Sequence, residues 1–71
     1  MRNVRIHDDN ITLGQLLKKL NLLDTGGQAK WFLQEYQVTV NGELETRRGR
    51  KLLTDDIVAI EGVGQYRLVR E

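Results

Sequence analysis

The sequence predicts an α+β fold, two short packed helices followed by a small, mostly antiparallel sheet. Three observations carry that prediction. Two segments near the N-terminus, "ITLGQLLKKL" and "TGGQAKWFLQEY", each place a threonine three residues ahead of a glutamine and continue with apolar residues at helical spacing. From Val38 onward the apolar period shortens to two. Asn41-Gly42 then marks a tight hairpin turn.

The elements follow in order. "NVRI" at the start reads as an edge strand. In the first helix Thr12 caps, Gln15 completes a capping box and Ile11 is placed to pack on Leu16. Leu13, Leu16, Leu17 and Leu20 form one apolar stripe, with Lys18 and Lys19 off it. Asn21 to Asp24, "NLLD", leaves room only for a turn, so the second helix packs on the first. That helix is capped by Thr25 with Gln28, and its stripe is Ala29, Phe32, Leu33 and Tyr36. Phe32 and Tyr36 are therefore expected in the core. Val38 and Val40 then alternate with Thr39, and Leu44 begins the return strand. "DIVAIEG" and "GQYRLV" read as a second hairpin, loosened by Gly62 and Gly64.

Composition narrows the chemistry. The chain has 71 residues, 39% hydrophobic and 30% charged, which fits one small globular domain over residues 1–71. It contains no serine, no cysteine and one histidine, His7, so Ser-His and Cys-His nucleophilic machinery is impossible within it. Ligands for zinc are missing too, and no metal site or cofactor is expected. Asp8-Asp9 and Asp55-Asp56 read as turn or capping residues. His7 reads as a surface imidazole. No apolar run is long enough to span a bilayer, and "MRNVRIHDDN" lacks the apolar segment of a signal peptide. A cytoplasmic protein without a membrane association is the expectation.

Against a formal net charge of +1, four of the five residues from Arg47 to Lys51 are basic. Guanidinium groups match phosphate oxygens with paired hydrogen bonds and also stack on bases. Gly49 lets such a loop curve. The plainer reading is a solvated basic loop neutralised by Glu43, Glu45 and Asp55. Gly26 and Gly27 offer a similar choice. In the first turn of the second helix their bare amides suit a phosphate, yet two glycines also simply permit a tight turn. Trp31 lies off the apolar stripe of its helix. It is a candidate for stacking on a base, but packing under the N-terminal segment or the last strand is favoured, since a lone tryptophan usually supplies core area.

"LLKKLNLL", "TGGQAKWFL" and "VTVNG", in this order and followed by basic residues, resemble the S4 RNA-binding domain with its helical alpha-L motif. The likeness covers residues 11–61 and is greatest to small stand-alone bacterial members of the YaaA type, in which "GG-x-AKWFL" and "RRGRKL" are characteristic. Lys30 matches a position that is usually arginine, and Thr25 matches the usual serine cap. Gly26 stands where an arginine commonly follows that cap, and Thr12 and Gly14 replace residues that are often Arg and Asp. The resemblance implies that the start of the second helix and the segment after the hairpin form one RNA-facing surface. Its residues are then Gly26, Gly27, Lys30, Arg47, Arg48, Arg50 and Lys51, with Trp31 as the stacking candidate.

The expectation that follows is a non-catalytic, monomeric protein. Its partner would be structured RNA, ribosomal RNA or a ribosome assembly intermediate, and it would take no small-molecule substrate. The alternative is a protein-interaction module that has kept the fold without the RNA role. The low net charge and the missing arginines favour that alternative.

Overall fold

The Asn41-Gly42 turn forms as its sequence dictates. In the computed structural model, which describes all 71 residues, both take positive φ, 53° and 86°, and Val40 pairs with Glu43 across them. That is the geometry of a two-residue turn whose twist matches its strands. Asn41 does more than tolerate the conformation. Its side chain accepts from the Ile57 amide at 2.9 Å and donates to Asp56 Oδ1 at 3.0 Å, tying the turn to the start of another strand.

The chain runs β1 (Arg2–Ile6), β2 (Asn10–Thr12), α1 (Leu13–Lys19), α2 (Ala29–Glu35), β3 (Val38–Val40), β4 (Glu43–Leu44), β5 (Lys51–Leu53), β6 (Ile57–Ile60) and β7 (Gly64–Arg70). Five strands make one sheet in the order β1-β7-β6-β3-β4. Only the β1–β7 pairing is parallel; β7–β6, β6–β3 and β3–β4 are antiparallel. The N-terminal segment is thus an edge strand, as its pattern predicts. Between β6 and β7 the Val63 amide donates to the Ile60 carbonyl, with Gly62 at φ 77° in the third turn position that calls for glycine. A second, two-stranded sheet of β2 and β5 is not visible in the periodicity.

The first helix is closed at both ends. Thr12 and Gln15 exchange reciprocal bonds of 2.9 and 3.2 Å, worth about 1 kcal/mol. At the other end Asn21 takes φ 62°, its amide reaches the Lys18 carbonyl and the Leu22 amide reaches that of Leu17. This paired arrangement explains why "NLLD" suffices as a connection. Gly26–Gln28 form a 3₁₀ turn before α2. The Gln28 side chain accepts from the Asp24 and Thr25 amides at 2.6 and 3.4 Å.

Leu13, Leu16 and Leu17 of α1, with Ala29 and Leu33 of α2, pack onto Val38, Val40, Val58, Ile60, Tyr66 and Leu68 of the sheet. Leu20 and Phe32 are only half-buried against that cluster. Tyr36 is not in the core at all, being 46% exposed. The helix ends at Glu35, and Tyr36 already has an extended backbone, φ −120° and ψ 138°, so the helical stripe cannot be extrapolated to it. No helix is long and apolar enough to cross a membrane.

Candidate nucleic-acid interface

The basic loop is built on the start of α1. Because β2 and β5 pair, Thr12 sits opposite Lys51, and the two segments stay together beyond the strands. The Leu13 amide donates to the Arg50 carbonyl and the Gly14 amide to the Arg48 carbonyl, both at 2.8 Å. Two donors that a helix start normally leaves unpaired are thus satisfied by the basic loop itself. Gly14 permits the contact. A Cβ there would lie 3.3 Å from the Arg48 carbonyl oxygen, 3.6 Å from the Arg48 Cβ and 3.7 Å from the Ala29 Cβ. Three elements therefore meet at one point: the start of α1, the start of α2 and the loop after the hairpin.

An open groove of about 270 Å³ lies over this junction, lined by Thr12, Gly14, Gly26, Ala29, Arg48 and Gly49 among others. The convergence expected from the sequence is present for Gly26 and Arg48. One helical turn along, Lys30 lines a neighbouring groove with Gln37, Leu44 and Thr46, so it too faces the segment leading into the basic loop. Gly27, Arg47, Arg50 and Lys51 line neither groove. Lys51 is the first residue of β5 rather than part of a loop, and its side chain is exposed. Gly26 and Gly27 also differ from expectation, since they form the 3₁₀ turn and the α-helix starts only at Ala29. No heavy atom lies within 4 Å of where a Gly26 Cβ would sit, so this backbone is open to approach.

The loop's shape comes from an acid. Leu44 pairs with Thr39 and points outward, 62% exposed, so the next residue, Glu45, turns inward, with its amide on the Val38 carbonyl at 2.8 Å. Its carboxylate accepts from the Thr46 and Arg47 amides, each at 3.0 Å. Arg47 adds Nε and Nη2 at 3.1 and 3.0 Å, and Arg50 adds Nη1 at 2.9 Å. The Arg47 side-chain bonds, then its backbone bond, hold the Glu45 carboxyl near 2, against the opposing effect of burial and with further help from Arg50. Arg47 in turn is raised above its ordinary value by its bond to Glu45.

Of the three acids expected to neutralise the loop, Glu45 alone pairs with it. Asp55 pairs with Arg67 at 2.8 Å, and Glu43 makes no ion pair. Arg47 stays accessible even so, its side chain 74% exposed. Lys30, Arg48 and Lys51 have no acidic partner within the chain. Five cations therefore answer to one buried carboxylate, and the positive surface survives the pairing. The sequence offers Glu45 only as one of three neutralising acids. Its burial is not foreseen there, because strand alternation assigns the inward position to Leu44, and the signal that singles it out is an acid two and five residues ahead of arginines.

Trp31 does not pack under either terminal segment. It is 67% exposed and lies with Leu22, Phe32 and Tyr36 beside the connection between the helices, away from Arg48. The core explains the departure, since its fifteen residues fill the space between helices and sheet without the indole. His7 is at the surface, paired with Glu71.

Comparison with known proteins places these features in context. The model of the S4 domain family matches residues 4–69. A Bacillus subtilis (strain 168) protein named "Probable ribosome maturation protein RlbA" is 50% identical over 66 residues, which cover 93% of each chain.

Proposed function

Because the chain belongs to the S4 domain family, we propose that it is a non-catalytic RNA-binding protein acting in ribosome maturation. It acts as one S4 unit over residues 1–71, as a monomer, in the cytoplasm where ribosomes are assembled. Its target is structured RNA, ribosomal RNA or an assembly intermediate, held by the positions of its phosphates more than by base sequence. Arg47, Arg48, Arg50, Lys51 and Lys30 neutralise phosphates, and the side-chain-free backbone at Gly26 and Gly27 lets the polyanion approach closely.

One observation supports this reading above the others: Gly26 and Arg48 line the same open groove, so the 3₁₀ turn ahead of α2 and the middle of the basic loop meet there. Glu45 supports it by fixing two of the arginines while leaving Arg47 open to solvent. A folded loop is ready to bind without first losing the entropy of ordering, which favours affinity. The named relative supports the ribosomal context.

Salt dependence tests the proposal. Filter binding to a ribosomal RNA transcript, measured from about 50 to about 200 mM salt, is expected to give a log–log slope of about −3 to −4 for about four neutralised phosphates. A flat response contradicts it.

A further inference from the structure

A second groove lies where Asn21 to Asp24 connect the two helices, and its chemistry is the reverse of the first. The groove has a volume of about 390 Å³; Trp31, Phe32, Tyr36 and Leu22 supply its apolar floor, and the only charged residues that line it are Asp24 and Glu35. The Phe32 and Tyr36 rings stack with centroids 4.7 Å apart and planes inclined by 30°. The Trp31 indole, 67% exposed, is the most open member of the cluster, ahead of Tyr36 at 46%. Neither acid forms an ion pair or a side-chain hydrogen bond within the chain, and no cation of the basic loop reaches the groove. An aromatic floor with an acidic rim repels a phosphate backbone and attracts a cation that carries apolar surface.

We propose that this groove docks a cationic protein segment, a stretch of peptide with arginine or lysine beside an aliphatic side chain. The aliphatic group fills the apolar floor. The cation lies on the Trp31 face and is balanced by Asp24 and Glu35. RNA is the poorer occupant here, because two carboxylates with no countercharge would face its phosphates. The groove adjoins the one that Lys30 lines, sharing Glu35 and Tyr36 with it, but none of Gly26, Lys30 and Arg48 lines it. This proposal stands independently of the RNA reading.

Trp31 is the only tryptophan, so its fluorescence reports on the groove directly. The full chain is titrated with three probes: a short acetylated peptide of alternating arginine and leucine, the same peptide with glutamate for arginine, and an oligouridylate. The arginine–leucine peptide is expected to shift the Trp31 emission to the blue and to saturate, and the other two are expected to leave it unchanged. Neutralising both acids, Asp24→Asn with Glu35→Gln, removes two rim charges and is expected to weaken that peptide about tenfold. Neither carboxylate holds the fold together, so circular dichroism of this variant should match the parent. The proposal is overturned if the arginine–leucine peptide gives no saturable shift, or if the glutamate peptide binds as well. It is equally overturned if the double variant binds unchanged, or if the oligouridylate alone moves the emission, which makes the groove an RNA surface.

Discussion

The Gly14 amide donates to the Arg48 carbonyl at 2.8 Å, and together with the Leu13–Arg50 bond it ties the start of the first helix to the basic loop. A Cβ at Gly14 would sit 3.3 Å from the Arg48 carbonyl oxygen, so a side chain there requires the loop backbone to shift by a few tenths of an ångström. Valine here is expected to cost about 1–3 kcal/mol, in excess of what any gain in helix propensity returns. Urea unfolding of Gly14→Val checks the cost. Amide hydrogen exchange checks the location, which should be faster exchange at Leu13 and Gly14.

Glu45 makes stability depend on acid. Its carboxyl titrates near 2 in the folded chain, below the ordinary 4.5 expected once unfolded. The folded state therefore binds the proton less readily, and the contribution is complete above about pH 4.5. It is lost as the pH falls through that window toward 2. Glu45→Gln removes the charge that two arginines and two amides address. The expected cost is about 1–2 kcal/mol at neutral pH, moderated because Arg47 remains solvated. Denaturant midpoints between pH 2 and 7 should show a flatter acid limb in the variant, since the titrating group is gone.

Asn41 combines a left-handed backbone with two side-chain bonds, to Ile57 and Asp56. The two roles separate by substitution. Asn41→Ala loses both and should destabilise by about 2–3 kcal/mol. Asn41→Gly keeps the backbone freedom and should cost about 1 kcal/mol less. Equal losses for the two variants in chemical denaturation would assign the whole effect to the side chain.

Trp31→Ala is expected to leave stability within about 0.5 kcal/mol of the parent, because the indole is mostly solvated. Thermal unfolding followed by far-ultraviolet circular dichroism measures this without relying on the tryptophan.

Local signals in the sequence proved readable. Thr12 with Gln15 and Asn41 with Gly42 each act across a few residues, so their geometry is set by chain neighbours and can be written down from residue type alone. Features that depend on distant partners were not readable. Nothing in "NIT" or "KLL" announces that β2 and β5 pair, yet that pairing delivers the Arg48 and Arg50 carbonyls to the start of α1. Tyr36 left the core because the helix stopped one residue sooner than the apolar pattern. The exposure of Trp31 follows from a core already filled by other residues, a property of the whole packing and not of its own segment. The basic residues were legible as a charge cluster, whereas their internal partner became identifiable only when Glu45 turned inward.

The most direct test compares two charge reversals that alter net charge equally. Arg48 lies in the groove at the junction, whereas Arg5 is exposed on β1, at the opposite edge of the sheet from β4. Affinity for a structured ribosomal RNA transcript, measured for Arg48→Glu and Arg5→Glu with folding verified by circular dichroism, should fall about tenfold or more for Arg48→Glu. The Arg5→Glu protein should bind within about twofold of the parent, since a distant exposed charge is largely screened. Equal losses in both variants, or none at Arg48, would contradict a single RNA-facing surface at that junction.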